Sequence, residues 1–193
     1  MLNDLSTPLS LLKTRRSGRP RDMIAPGPSA DELRQILAIG MRVPDHGKLA
    51  PWRFVHVRQE DRGALEALLM AAYRENNPDP MPGELEAVTR FARQAPCLVV
   101  VLSKPVEGGK IPVWEQHLSA GAACMNILTA AHAMGYAGGW ITGWPTYSET
   151  VRKAFGEEGT RIAGFLYLGT PAQPLEERPR PDFDSIVSDW TAP

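Results

Sequence analysis

The stretch "CLVVVL", residues 97–102, has no polar residue at any position. A strand with one wet face alternates polar and apolar residues, whereas a continuous apolar run suits a strand covered on both faces. A central strand of this kind needs structure on either side of it. The fold must therefore have layers, and the rest of the chain has to supply the cover. At 193 residues the chain lies within the range of one domain with a real core.

Helix signals flank this run. In "TPLSLLK" Thr7 can cap, and Pro8 suits a first helical position because its missing N–H costs nothing there. "RRSGRPRD" follows without apolar periodicity and reads as a connection. "SADELRQILAIGMR" opens with the capping box Ser29-x-x-Glu32. Its Leu33, Ile36, Leu37, Gly40 and Met41 fall on one helical face, and Pro44 stops it. "LEALLMAAYR" places Leu65, Leu68, Leu69, Ala72 and Tyr73 on another. A helix over 84–93, a long one over about 113–134 and "SETVRKAF", ending at Gly156, complete the set. Strands are expected at "RFVHV" (53–57), 97–102, "GGWIT" (138–142) and "GFLYLG" (164–169). "ENNPDPMPG" is a Pro-rich loop, and the tail after about 171 is rich in proline and charge but ends in apolar residues. No internal repeat or domain boundary appears. The class is three-layered, α/β or α+β.

Much chemistry is excluded. The formal net charge of −1 gives no support to nucleic-acid or anionic-membrane binding, which needs a basic excess. Cys97 and Cys124 sit in apolar stretches and read as buried, reduced thiols, which suits a reducing compartment. The N-terminus lacks a signal-type apolar core, and the tract 118–141 is broken by Asn126 and His132, as in a buried helix. A cytoplasmic protein without a membrane span is expected. There is no G-x-S-x-G, H-E-x-x-H, C-x-x-C, P-loop or G-x-G-x-x-G after a strand. The histidines show no metal-ligand spacing, and His56, His117 and His132 read as structural or solvated.

Three stretches are left: "RRS" (15–17), "RVPDHGKLAPWRF" (42–54) and "GYAGGWITG" (135–143). Arg15, Arg16 and Ser17 can hold a phosphate through guanidinium forks and a hydroxyl. They can equally complement a helix dipole. Arg42 and His46 stand four apart across a helix end, where they can meet one ligand edge on a backbone stiffened by Pro44 and Pro51. Singly, Arg42 reads as a helix C-terminal charge, Asp45 as a turn residue and Trp52 as core.

In order and content these pieces resemble the nitroreductase-like flavoproteins. The matching segments are "RRS", "MRVPDHGKLAPWRF", "PVWEQHLSAGAACMNILTAAHAMGYAGGW" and "GFLYLGTP", which span nearly the whole chain. The resemblance implies an α+β three-layer sandwich, with a mostly antiparallel central sheet flanked by helices. It also implies one domain over 1–193, an obligate homodimer with FMN at the subunit interface, and a C-terminal arm, about 171–193, docked on the partner. Arg15, Arg16 and Ser17 then match the segment that holds FMN phosphate and ribityl oxygens. Arg42 and His46 match residues that reach the partner's FMN. Ala130, Ala131, His132, Ala133, Met134 and Gly135 match a segment assigned to the nicotinamide cofactor. Trp140, Ile141 and Thr142 match an FMN-lining segment, and Arg180 a basic phosphate ligand. Relatives carry arginine where Ile141 stands, so only a backbone contact is expected from that position.

The implied activity is an FMN-dependent NAD(P)H oxidoreductase. NADH or NADPH reduces the flavin, and a nitroaromatic, quinone or other small acceptor takes the electrons in a ping-pong cycle. Because the flavin carries the chemistry, no nucleophile or general base is needed and no metal is expected. An FMN-binding or storage protein with little turnover is the alternative. A dimeric interaction protein that has lost the cofactor is a third reading. Flavin-destroying or dehalogenating chemistry is not favoured by any added lid segment.

Overall fold

The apolar run becomes the third strand, β3 (Cys97–Ser103), and all seven of its residues are buried. The structure, a computed structural model, describes residues 1–192. Alternation divides the β3 side chains between two cores. Leu98, Val100 and Leu102 pack with α3 (Arg62–Asn76) and α4 (Pro82–Arg93), while Cys97, Val99 and Val101 pack with α2 (Ala30–Gly40) and α5 (Val113–Ala133). Two helical layers thus enclose one sheet. Each fully buried Leu or Ile, such as Ile36 or Leu69, contributes about 1.5–3 kcal/mol through area removed from water.

Every strand pairing is antiparallel. β3 lies between β2 (Trp52–Val57) and the long β5 (Arg161–Pro171). β4 (Ala137–Ile141) pairs with β5 from Ala137–Gly169 to Ile141–Phe165, and the two-residue β1 (Met23–Ile24) pairs with its end. The class left open between α/β and α+β is therefore α+β, a three-layer sandwich.

Local sequence explains most elements. Ser29 and Glu32 form both hydrogen bonds of the capping box at α2. Gly40 allows α2 to cross α5 closely, because a Cβ there would collide with Ile127 Cγ1. α1 (Pro8–Thr14) is capped by Thr7 and α7 (Glu149–Phe155) by Ser148. Besides short 3-10 turns, two elements are absent from the sequence reading: β1, and the single turn α6 (Trp144–Tyr147). Both are too short to carry a period.

After β5 the described chain, 172–192, contains only a 3-10 turn at Phe183–Ser185. Phe183, Ile186, Val187 and Trp190 are exposed there. The arm expected over 171–193 ends in residue 193, which lies outside the described residues. Among the described residues no helix is long and apolar enough to cross a membrane.

Candidate functional site

The "RRSG" segment leaves α1 in extended conformation and is held from two sides. Asn3 binds Arg16 through both backbone groups, with Oδ1 accepting from N–H at 2.7 Å and Nδ2 donating to the carbonyl at 3.3 Å. Gly18 N–H donates to Gly138 O at 3.1 Å. The approach requires glycine in β4, since a Cβ on Gly139 would lie 2.8 Å from Gly18 O. These contacts bring "RRS" and "GGWI", remote in sequence, to one place.

Positive charge collects there. Arg15 is held below its ordinary pKa by burial first, then by repulsion from Arg180 and Arg16. Glu177 partly answers Arg180, at 3.2 Å, and Glu176 answers Arg19, at 2.7 Å, so the demand for an anion is left chiefly with Arg15. Arg15 Nη1 also meets Ser17 Oγ at 3.4 Å. Arg16 differs from its neighbour, because its Nε donates to Glu176 O in the arm at 2.8 Å. Beside this group is a cavity of about 480 Å³, lined by Arg16, Arg19, Arg21, Arg90 and Arg178 and by no carboxylate. Arg90 reaches it from α4, and Gln94 from the position just after that helix. No sequence signal marks that role, because a polar residue on the outer face of an amphipathic helix is ordinary.

The apolar wall of the cavity is Gly139, Trp140 and Ile141. Trp140 is fixed by an irregularity in the sheet. The β3–β5 register shifts between Val101 and Leu102, leaving Ala163 unpaired with β3. Trp140 Nε1–H donates to the Ala163 carbonyl at 3.0 Å. The ring lies over Gly164 and remains 37% exposed, a flat surface held in one orientation. Ile141 faces the other way and packs on the α3/α4 core, so its side chain offers nothing polar. Thr142 lies past the end of β4, exposed, and does not line this cavity.

Arg42 and His46 stand elsewhere on the chain, outside the Arg-lined cavity. Their loop is pinned to α5. Asn126 Nδ2 donates to Arg42 O at 3.2 Å, Ser119 Oγ to Pro44 O at 2.7 Å, and Trp52 Nε1 to Ser119 Oγ at 3.1 Å. The Asp45 carboxylate accepts from Leu49 and Ala50 N–H at 3.0 and 2.8 Å, a turn-forming role. Trp52 is half-buried and stacked on Phe54. His46 Nδ1 lies 2.7 Å from Glu115 Oε2 and Arg42 is exposed, so both present free atoms to the surface.

The segment 130–135 is partly core. Ala130, Ala131 and His132 are buried, Met134 is half-buried, and only Ala133 and Gly135 are exposed. His132 Nε2 accepts the Gly138 N–H at 3.1 Å, so the neutral ring carries its proton on Nδ1, which has no partner. Burial, and then the charge of Arg15, push its pKa down to about 4. With Gly135 it borders a cavity of about 360 Å³ beneath Met1–Asn3 and the start of the arm.

FMN makes two demands, cations for a phosphate dianion and a flat apolar surface for the ring. The mutual repulsion of Arg15 and Arg180, the carboxylate-free cavity and the fixed Trp140 ring fit that donor set. Among the described residues no group of three His, Cys, Asp or Glu can hold a metal ion.

The model of the "Nitroreductase family" matches residues 12–170. Over 165 residues the chain is 39% identical to "Putative NAD(P)H nitroreductase YdjA" of Escherichia coli K12, covering 84% of this chain and 87% of the relative. It is 37% identical over 174 residues to "Putative NAD(P)H nitroreductase" of Haemophilus influenzae, covering 89% and 92%. A nitroreductase-like protein of Bacillus cereus shares the fold with a TM-score of 0.78 at 20% identity, over 95% and 96% of the two chains. A nitroreductase of Bacteroides fragilis solved with bound FMN gives a TM-score of 0.70 at 20% identity, over 95% and 98%.

Proposed function

The chain belongs to the nitroreductase family, and from that premise we propose that it is an FMN-dependent NAD(P)H oxidoreductase working as a homodimer. The observation that carries this reading is the carboxylate-free arginine cavity walled by Trp140, next to the crowded pair Arg15 and Arg180. Arg15, Ser17 and Arg180 hold the phosphate, and Arg16 contributes charge while tethering the arm. Trp140 and the backbone of Ile141 flank the ring, with Arg90 and Gln94 at its far side, and Thr142 stands beyond the cavity's edge. When bound, FMN supplies two-electron chemistry, accepting a hydride from NADH or NADPH and passing electrons to a nitroaromatic, quinone or other small acceptor in a ping-pong cycle. The segment 130–135 borders the nicotinamide donor through its exposed Ala133 and Gly135.

A dimer gives Arg42 and His46 their task, which is to complete the flavin site of the partner subunit. Trp114, Leu118 and Met125 form an exposed apolar strip on α5, with Ile39 and Met41 also exposed at the end of α2. Such a patch needs a partner. The arm, about 171–193, docks its Phe183, Ile186, Val187 and Trp190 on the second subunit of this one-domain protein. The buried free thiols of Cys97 and Cys124, pushed up to about 11 and about 12 by burial, accord with a reducing cytoplasm.

The test is anaerobic addition of NADH or NADPH to FMN-loaded protein, followed near 450 nm. Rapid bleaching supports the reductase. A second reading, an FMN-binding protein with little turnover, draws on the core-facing Ile141, and it predicts flavin bands that resist reduction.

A further inference from the structure

α5 carries two parallel strips of different chemistry. Glu115, Ser119 and Asn126 are spaced i, i+4 and i+11, on one face, and each binds the loop that holds Arg42 and His46. Trp114, Leu118 and Met125, one residue earlier in each case and roughly 100° round the helix, are the exposed apolar strip. The loop is thus fastened along the border of the surface assigned to the partner. Backbone carbonyls take two of the three fastenings. Only Glu115 holds a side chain that can reach a ligand.

We propose that Glu115 is a positioning residue that sets His46 for the partner subunit's flavin; this rests on the reading above that His46 serves that flavin. A carboxylate can only accept, so the proton between them sits on His46 Nδ1. That bond fixes the ring plane and the tautomer and leaves Nε2 directed away from Glu115. A carboxylate behind an imidazole orients ligating histidines in the same way. The rest of the loop makes this orientation meaningful. Asp45 holds the two N–H groups of Leu49 and Ala50, and Gly47 takes a φ of +79° with Ile111 at 3.1 Å from where its Cβ would be. The backbone under His46 is therefore rigid, and χ rotation of the imidazole is the freedom that Glu115 removes.

The experiment titrates FMN into the full-length apo protein, wild type and the variants E115A, E115Q, H46A and E115A/H46A, by flavin fluorescence. The ring ¹⁵N signals of His46 are recorded alongside. E115A is expected to raise Kd about tenfold, since one charge-assisted hydrogen bond no longer holds the ring, and to turn a single Nδ1–H tautomer into a mixture. E115Q keeps an accepting amide oxygen and should stay within about threefold of wild type. The double variant should bind no worse than H46A. If H46A weakens binding while E115A does not, or if the E115A loss persists in the H46A background, the positioning role is overturned alone. If H46A binds as wild type, the assignment of His46 falls and this role with it. If the wild type binds no FMN, the flavin reading itself falls.

Discussion

The Trp140 indole occupies the space that a side chain on Gly164 would need, while its Nε1–H holds the Ala163 carbonyl left free by the sheet irregularity. Gly164→Ala should push the ring off its seat. Overpacking of this kind costs about 1–3 kcal/mol, readable in urea unfolding. The same variant should change Trp fluorescence and weaken FMN binding. Unchanged FMN affinity with a displaced Trp140 would remove the ring-wall assignment.

The arginines divide by what they already bind. Among the described residues Arg15 meets no carboxylate, whereas Arg16 Nε is committed to Glu176 O and Arg180 Nη2 to Glu177 Oε1 at 3.2 Å. Hydrogen bonds to charged groups are worth about 1.5–3 kcal/mol, so Arg15→Ala should weaken FMN at least tenfold. Arg16→Ala should weaken it less and loosen the arm, seen as faster proteolysis after residue 171. Equal losses from both would contradict the division.

This division shows how far the sequence could be read. The resemblance singled out "RRS" as a unit, but which arginine is free depends on where the arm runs, and that is a tertiary fact. The same holds for Arg90, whose helix face is unremarkable, and for Arg62, which is buried with Nη1 on Ala92 O at 2.8 Å. Strand β3 is legible because six consecutive apolar residues, 97–102, leave a plain signal, and the structure adds only Ser103. In segment 130–135 the helix is legible in the sequence, but which of its residues face the core is not: Ala130, Ala131 and His132 turn inward, while Ala133 and Gly135 remain exposed.

His132 gives a pH dependence with a definite sign. Its pKa is about 4 in the fold, against 6.5 unperturbed. The unfolded chain therefore binds the proton first as pH falls. Stability from this group is complete above about pH 6.5 and is lost down to about pH 4, by roughly 3 kcal/mol. His132→Gln retains an acceptor for Gly138 N–H without a basic ring. Unfolding midpoints measured from pH 7 to 4 should fall less in that variant than in the wild type, and parallel curves would refute the burial effect.

The α5 strip predicts its own disruption. Met125→Glu places a charge among Trp114 and Leu118, and a charge buried without a partner at an interface disfavours association. Sedimentation velocity should show monomer in place of dimer, with FMN binding reduced because Arg42 and His46 no longer reach the partner's site. A variant that stays dimeric would move the interface elsewhere.

If each flavin site is built from two subunits, mixing two defective variants restores it. Arg15→Ala damages the phosphate side of a site, and Arg42→Ala the side contributed by the partner. After subunit exchange, half of the dimers are mixed, and each mixed dimer has one intact site. FMN binding should therefore recover to about a quarter of the wild-type capacity. No recovery, with exchange verified by tagged subunits, would mean that each chain builds its flavin site alone.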